Sequence, residues 1–223
     1  MIAPGSNRGA TAMMPDKPEL QAILLTIVAG IADAVGYIVM GGVFAANMTG
    51  NTVLAGIAAA EGFYDLAAQR LAPLITFFLG AMLARLLLRL LHRPMAPLLL
   101  EAIVLAGVGF LAVDRETAVL IVALAMGLQA SAVTHFGGTA VSTVVVTSTL
   151  ARIADATLDR LWPIQARTLP SIATPRLLTL TWVGYFAGAA AGTLLLHLIV
   201  WPLLVPAAIL LIVIALARPR PSA

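Results

Sequence analysis

The chain is 223 residues long, 61% hydrophobic and only 10% charged, with a mean hydropathy of +1.02 and a net charge of +3. An ordinary soluble domain carries roughly 25% charged residues and has too little interior to hide this much apolar side chain. These figures exclude a soluble enzyme, a disordered chain and, since no Lys/Arg-rich patch accompanies the charge, a nucleic-acid binder; they leave a multi-pass protein whose first partner is the lipid bilayer.

Residues 1–18 are polar and read as a flexible cytoplasmic tail. The first apolar run starts at Leu20 and lasts about 20 residues, the length of a membrane span rather than of a signal-peptide core. Eight apolar segments follow one another at 20–40, 42–60, 71–91, 97–113, 117–135, 137–153, 177–200 and 202–217. The breaks between them carry turn or charge signals. They are Gly41-Gly42, the stretch Glu61 to Arg70, His92-Arg93-Pro94, Asp114-Arg115-Glu116, Gly137-Gly138, a long polar stretch at 154–176, and Trp201-Pro202. Residues 218–223 form a short basic tail, so one membrane domain covers 19–217. Cysteine is absent, which removes disulfides, thiolate metal sites and a cysteine nucleophile.

Segments 42–60 and 137–153 stand apart, being short and unusually polar. The first carries Asn47, Thr49, Asn51 and Thr52; the second carries Ser142, Thr143, Thr147, Ser148 and Thr149. Each follows a Gly-Gly pair, and glycine permits the backbone conformations of a broken helix. Gly41, Gly42, Gly137 and Gly138 are therefore read as hinges. The halves 20–113 and 117–217 resemble each other. Asp33-Ala34 aligns with Gln129-Ala130 and Gly41-Gly42 with Gly137-Gly138 at an offset of 96. At an offset of 108, Phe78, Gly80, Ala81 and Pro94 align with Phe186, Gly188, Ala189 and Pro202. The fold expected is an all-α bundle of two repeated halves. If both polar segments re-enter, six crossings remain, with eleven basic residues inside and only Arg70 and Arg115 outside. If both cross, there are eight crossings and ten basic residues inside. Either way both termini are cytoplasmic.

The polar minority inside the spans marks the candidate site. Asp33 lies deep in the first span, where a carboxyl is costly unless it is paired, protonated or beside water. It is either a proton or cation carrier or the structural partner of a deep arginine, Arg85. Asn47 and Asn51 are four residues apart, the spacing of one helix face, and with Thr49 they offer donors and acceptors to a polar ligand. Gln129 and Thr147 are their counterparts in the second half. Glu101 and His197 are lone ionisable groups expected to be paired. Arg85, Arg89 and His92 fall on one helix face as a cytoplasmic anchor on anionic head groups. Gly184, Gly188 and Gly192 form a small-residue packing face, used either inside the bundle or in a homodimer. Enzyme signatures (HExxH, GxSxG, a P-loop) are missing, and nothing calls for a cofactor or a metal.

The stretch Gly30-Ile31-Ala32-Asp33-Ala34-Val35-Gly36-Tyr37, continued by Met40-Gly41-Gly42-Val43-Phe44-Ala45-Ala46-Asn47-Met48-Thr49-Gly50-Asn51-Thr52, resembles the hallmark of the YoaK-like family. In the second half Met126-Gly127-Leu128-Gln129-Ala130, Gly137-Gly138 and Val146-Thr147-Ser148-Thr149-Leu150 agree with it. Members usually have Asn where this chain has Ala130, and Thr-Gly-Thr where it has Thr147-Ser148-Thr149. The resemblance implies a bacterial cytoplasmic-membrane protein of one domain and supplies no activity. The residues themselves point to passage of a small polar solute or ion, through Asp33, Asn47, Thr49 and Asn51 with Gln129 and Thr147 from the other half. The competing reading is a non-transporting assembly partner, lipid scaffold or sensor, for which the basic loop Arg152, Arg160, Arg167 and Arg176 speaks.

Overall fold

Glycine and proline punctuation cuts the apolar chain into helices. A computed structural model describes residues 18–111, 113–132 and 175–217, with 135–136, 139–140, 154 and 157 between them. Seven named helices lie among these residues: α1 (Pro18–Val39), α2 (Met48–Ala60), α3 (Tyr64–Leu91), α4 (Ala96–Phe110), α5 (Arg115–Ala132), α6 (Pro175–Leu198) and α7 (Leu204–Leu216). A two-residue antiparallel ladder pairs β1 (His135–Phe136) with β2 (Thr139–Ala140). Four helices are long and apolar enough to cross a membrane, at Glu19–Val39, Tyr64–Leu91, Arg115–Ala132 and Arg176–Leu198. Gly137, Gly138, Thr147 and most of the segment 137–153 lie outside the described residues.

Two boundaries differ from the hydropathy reading. Residues 42–47 are not helical although most are apolar, and α2 starts only at Met48. Gly41 and Gly42 both have positive φ, 89° and 69°, and turn the chain back at the end of α1. In the other direction, the polar stretch before Leu71 supplies the first turns of α3, which begins at Tyr64 and carries Pro73 within it. The end of α3 is where the sequence puts it: His92 adopts the left-handed conformation, φ 53°, just before Arg93 and Pro94.

Helix order follows from which small residues allow close approach. A β-carbon on Gly184 would meet Ile23 and Thr26, one on Gly188 would meet Ile27, and one on Gly192 would meet Ile31 and Ala34. The partner numbers rise together, so α1 and α6 run parallel. The ion pair of Glu19 with Arg176 (3.8 Å) joins their exposed starts. The Gly184, Gly188 and Gly192 face is thus occupied by α1 inside the bundle. On the other side of the molecule α3 packs on α5 through Gly80, against Leu124, and Gly127, against Phe77 and Ala81. The same contact recurs in the two helix pairs: Gly30 on α1 meets Tyr185 and Ala189 on α6 as Gly127 on α5 meets Phe77 and Ala81 on α3, at offsets of 97 from α1 to α5 and 108 from α3 to α6.

A second set of helices, α1, α5, α4 and α7, closes into a ring in which each packs on two neighbours. Gln21 near the start of α1 donates to Val213 O near the end of α7 (3.3 Å), so these two run antiparallel. Phe110 at the end of α4 lies against Trp201 just before α7, with ring centroids 5.4 Å apart, so α4 and α7 are antiparallel too. Leu25, Val28, Leu98, Leu105, Val122, Met126 and Leu210 fill the shared core. Outside it, Ile75, Phe78, Met82 and Leu86 on α3 and Phe186 and Leu194 on α6 are exposed, the surface expected of helices solvated by lipid.

Asp114 starts α5 outside the membrane core by accepting the Thr117 N–H at 2.9 Å. That bond holds its carboxyl below the ordinary value of 3.8. A depressed folded value means stability that is present above the unfolded value and lost as pH falls through the folded one. Thermal melts of the detergent-solubilised protein are expected to show this small loss below about pH 4, and Asp114→Ala is expected to remove that component.

Candidate functional site

The site grows from one carboxyl six residues before the end of α1, about 9 Å along the axis at 1.5 Å per residue. The Gly41-Gly42 turn sends residues 43–47 back along α1. Gly36 permits the approach, since a β-carbon there would stand 2.9 Å from Val43 O. The returning backbone arrives at Asp33, which is buried. Asp33 Oδ1 accepts the Ala46 N–H at 2.6 Å and the Asn47 N–H at 3.2 Å. Its Oδ2 accepts the Tyr185 hydroxyl from α6. One side chain therefore joins α1, the loop before α2, and α6.

Two amides finish the loop. Asn47 is the N-cap of α2 and accepts the Gly50 N–H at 3.1 Å. Asn51 is fully buried; its Oδ1 accepts the Phe44 N–H at 2.9 Å and its Nδ2 donates to Phe44 O at 2.7 Å. A side-chain amide thus gives Phe44 the pair of bonds that a neighbouring strand would give. The Phe44 ring stacks on Tyr37, centroids 4.8 Å apart. At the outer end of the loop Arg70 donates to Gly41 O at 2.9 Å, fixing the start of α3 beside the end of α1.

The structure brings Asp33, Asn47 and Asn51 together and leaves the other candidates apart. Asn47 and Asn51 do not act as two groups on one helix face: the first caps the helix and the second reaches back to Phe44. Thr49 is exposed. Gln129 is buried elsewhere, donating from Nε2 to Leu25 O at 3.0 Å, two turns along α1 from Asp33. Arg85 is exposed on α3, which does not pack against α1 among the described residues, so the Asp33–Arg85 pair is not formed. Glu101 is completely buried but has no hydrogen-bond partner for either carboxyl oxygen among the described residues, against the expectation of a pair. His197 is exposed. Sequence reasoning missed Tyr185; the available signal was a tyrosine between Gly184 and Gly188, on a face built for close approach.

Chemically, the Asp33 carboxyl occupies the position of an anion before the start of α2, where free backbone N–H groups and the helix dipole favour negative charge. No group of three or more His, Asp or Glu residues able to hold a metal is present among the described residues.

The chain is 32% identical over 192 residues to the UPF0700 transmembrane protein YoaK of Bacillus subtilis (strain 168), covering 80% of this chain and 85% of that protein. No solved structure matches it. The model of a family described as protein of unknown function (DUF1275) matches residues 21–216. With its apolar helices, its glycine-packed helix pairs and the motif around Asp33 inside that match, the chain belongs to the DUF1275 family.

Proposed function

We propose that the chain is a multi-pass permease of the bacterial cytoplasmic membrane for a small polar solute or ion, with Asp33 as its proton- or cation-carrying carboxyl. The observation that carries this reading is the origin of Asp33's partners. Two come from the loop before α2 and one from α6, so a change at one carboxyl acts on both elements at once. A proton on Asp33 replaces an acceptor with a donor and opposes those bonds. Proton occupancy and closure of the loop are then linked, and each must affect the other by the same free energy.

The topology proposed is six crossings with both termini cytoplasmic and segments 42–60 and 137–153 re-entrant. The Arg70–Gly41 bond supports it, because it puts the start of α3 on the side where α1 ends. Two repeated halves of opposite orientation fit the recurrence of one packing contact in α1 with α6 and in α5 with α3. In that register Gly127 stands for Gly30, and Ala130, rather than Gln129, takes the place of Asp33. Broken helices and inverted repeats are frequent in secondary transporters. No catalytic role is assigned to any residue.

The test is proton flux into proteoliposomes under an imposed pH gradient, with a panel of small polar solutes added in turn. Asp33→Asn is expected to abolish solute-dependent flux while the protein remains expressed and monodisperse. Equal flux in wild type and variant would overturn the reading. The second reading, a non-transporting assembly partner or lipid scaffold, is favoured by one observation: the Asn51 amide and the Asn47 oxygen are bonded within the chain. Cysteines introduced singly at 47, 49 and 51 separate the two, since a permease must let a polar thiol reagent reach at least one of them from one side.

A further inference from the structure

The ring formed by α1, α5, α4 and α7 holds a carboxyl that the Asp33 site does not use. Glu101 is on α4, five residues after its start, about 8 Å along the axis. Its neighbours on the buried face of α4 are Pro97, Leu98, Ala102 and Leu105. Its exposure is 0%, and neither oxygen has a hydrogen-bond partner among the described residues.

Among the described residues the surroundings supply no counter-charge. Of the helices packed on α4, α7 has no titratable residue; α5 has Arg115 and Glu116, both exposed at its far end. On α3, Tyr64, Asp65, Arg85 and Arg89 are exposed and Arg70 is bonded to Gly41. The other buried polar side chains of the ring are directed elsewhere: Gln21 donates to Val213 O, Thr26 to Ile23 O and Gln129 to Leu25 O, and Asp33 accepts from Ala46, Asn47 and Tyr185.

An ionised carboxylate in such a place would bear the full cost of dehydration with nothing to offset it. A metal cation would require several oxygen ligands, and Glu101 is joined by none among the described residues. A proton needs only the carboxyl itself. We propose that Glu101 is a second proton-binding site, occupied by a proton in the closed four-helix core. The starts of α1 and α4 lie on the same side of the molecule, since each runs antiparallel to α7. Glu101 is near that side and Asp33 is near the other, so the two carboxyls occupy opposite halves of the membrane-spanning body. The inference stands apart from the permease reading, because a proton can be bound whether or not anything is carried.

The test is infrared spectroscopy of the full-length protein in lipid at neutral pH. The wild type is expected to show the carbonyl-stretch band of an un-ionised carboxylic acid. Glu101→Gln, which has the shape of the neutral acid, is expected to lose that band and keep the wild-type melting temperature; Asp33→Asn is expected to keep the Glu101 band. Glu101→Asp covers the case in which Gln fails to fold, and is expected to shift the band rather than remove it. A wild-type spectrum with no such band, or the same band in wild type and Glu101→Gln, would overturn the proposal and leave the permease reading untouched.

Discussion

Gly188→Leu is expected to abolish the folded, monodisperse protein. A β-carbon at this position would meet the Ile27 carbonyl oxygen and stand 2.8 Å from Ile27 Cα. Both obstacles are backbone, so no side-chain rotation relieves them, and α1 must separate from α6. Overpacking a core costs about 1–3 kcal/mol even where side chains can shift, and here the displacement also strains the Tyr185–Asp33 bond. Gly127→Leu should behave alike, because its β-carbon would meet Phe77 O and stand 2.9 Å from Ala81 N. Gly107 provides the control: it is helical, with nothing within 4 Å of an added β-carbon. Gly107→Ala is expected to be neutral or to stabilise by up to about 1 kcal/mol through helix propensity. Size-exclusion chromatography and thermal melts in mild detergent read all three. Indistinguishable behaviour of Gly188→Leu and Gly107→Ala would refute the packing assignment.

Asp33→Ala is expected to cost several kcal/mol and to release the loop before α2. It strands the Ala46 and Asn47 N–H groups and the Tyr185 hydroxyl, and a buried donor without an acceptor costs roughly 1–3 kcal/mol. Tyr185→Phe removes a donor together with its bond and leaves both amides in place, so its cost should be near 1 kcal/mol. The double variant should then be less unstable than the two effects added, with a coupling of about 1 kcal/mol, because the residues touch. Amide hydrogen exchange gives the local signature: protection at Ala46 and Asn47 should fall in Asp33→Ala and persist in Tyr185→Phe. Unchanged protection in Asp33→Ala would show that the loop is held by Asn51 alone.

How far the sequence speaks depends on the range over which each feature is determined. His92 before Pro94, Asp114 before α5 and the Gly41-Gly42 pair mark boundaries by their own chemistry, and the helices end or begin there. Val43 to Ala46 are apolar and look like the start of a helix. They are held out of it by Asn51 and Asp33, partners that local hydropathy does not see. The need for Asp33 to be satisfied inside the protein was legible, since a carboxyl within an apolar run is conspicuous. Its partner was not: Tyr185 is 152 residues away, and only the parallel packing of α1 on α6 brings the two together. The choice of Arg85 followed charge alone, whereas two backbone amides and a phenol satisfy the carboxyl without a cation. Asn47 and Asn51 stand near a break in the sequence, but helical spacing does not reveal that the first lies outside the helix it caps.

The two short helices of the ring are adjacent, and this has a consequence for the surrounding lipid. At 15 and 13 residues, α4 and α7 are about 22 Å and 20 Å long, whereas α3 has 28 residues. A typical hydrocarbon layer is about 30 Å thick. With six crossings, as proposed above, the molecule presents a thin flank and a thick one, and acyl chains beside α4 and α7 must shorten or tilt to meet it. Such mismatch costs fractions of a kcal/mol per ångström. Bilayer thickness becomes a force on one flank only, favouring thin membranes and the gathering of shorter lipids on that side.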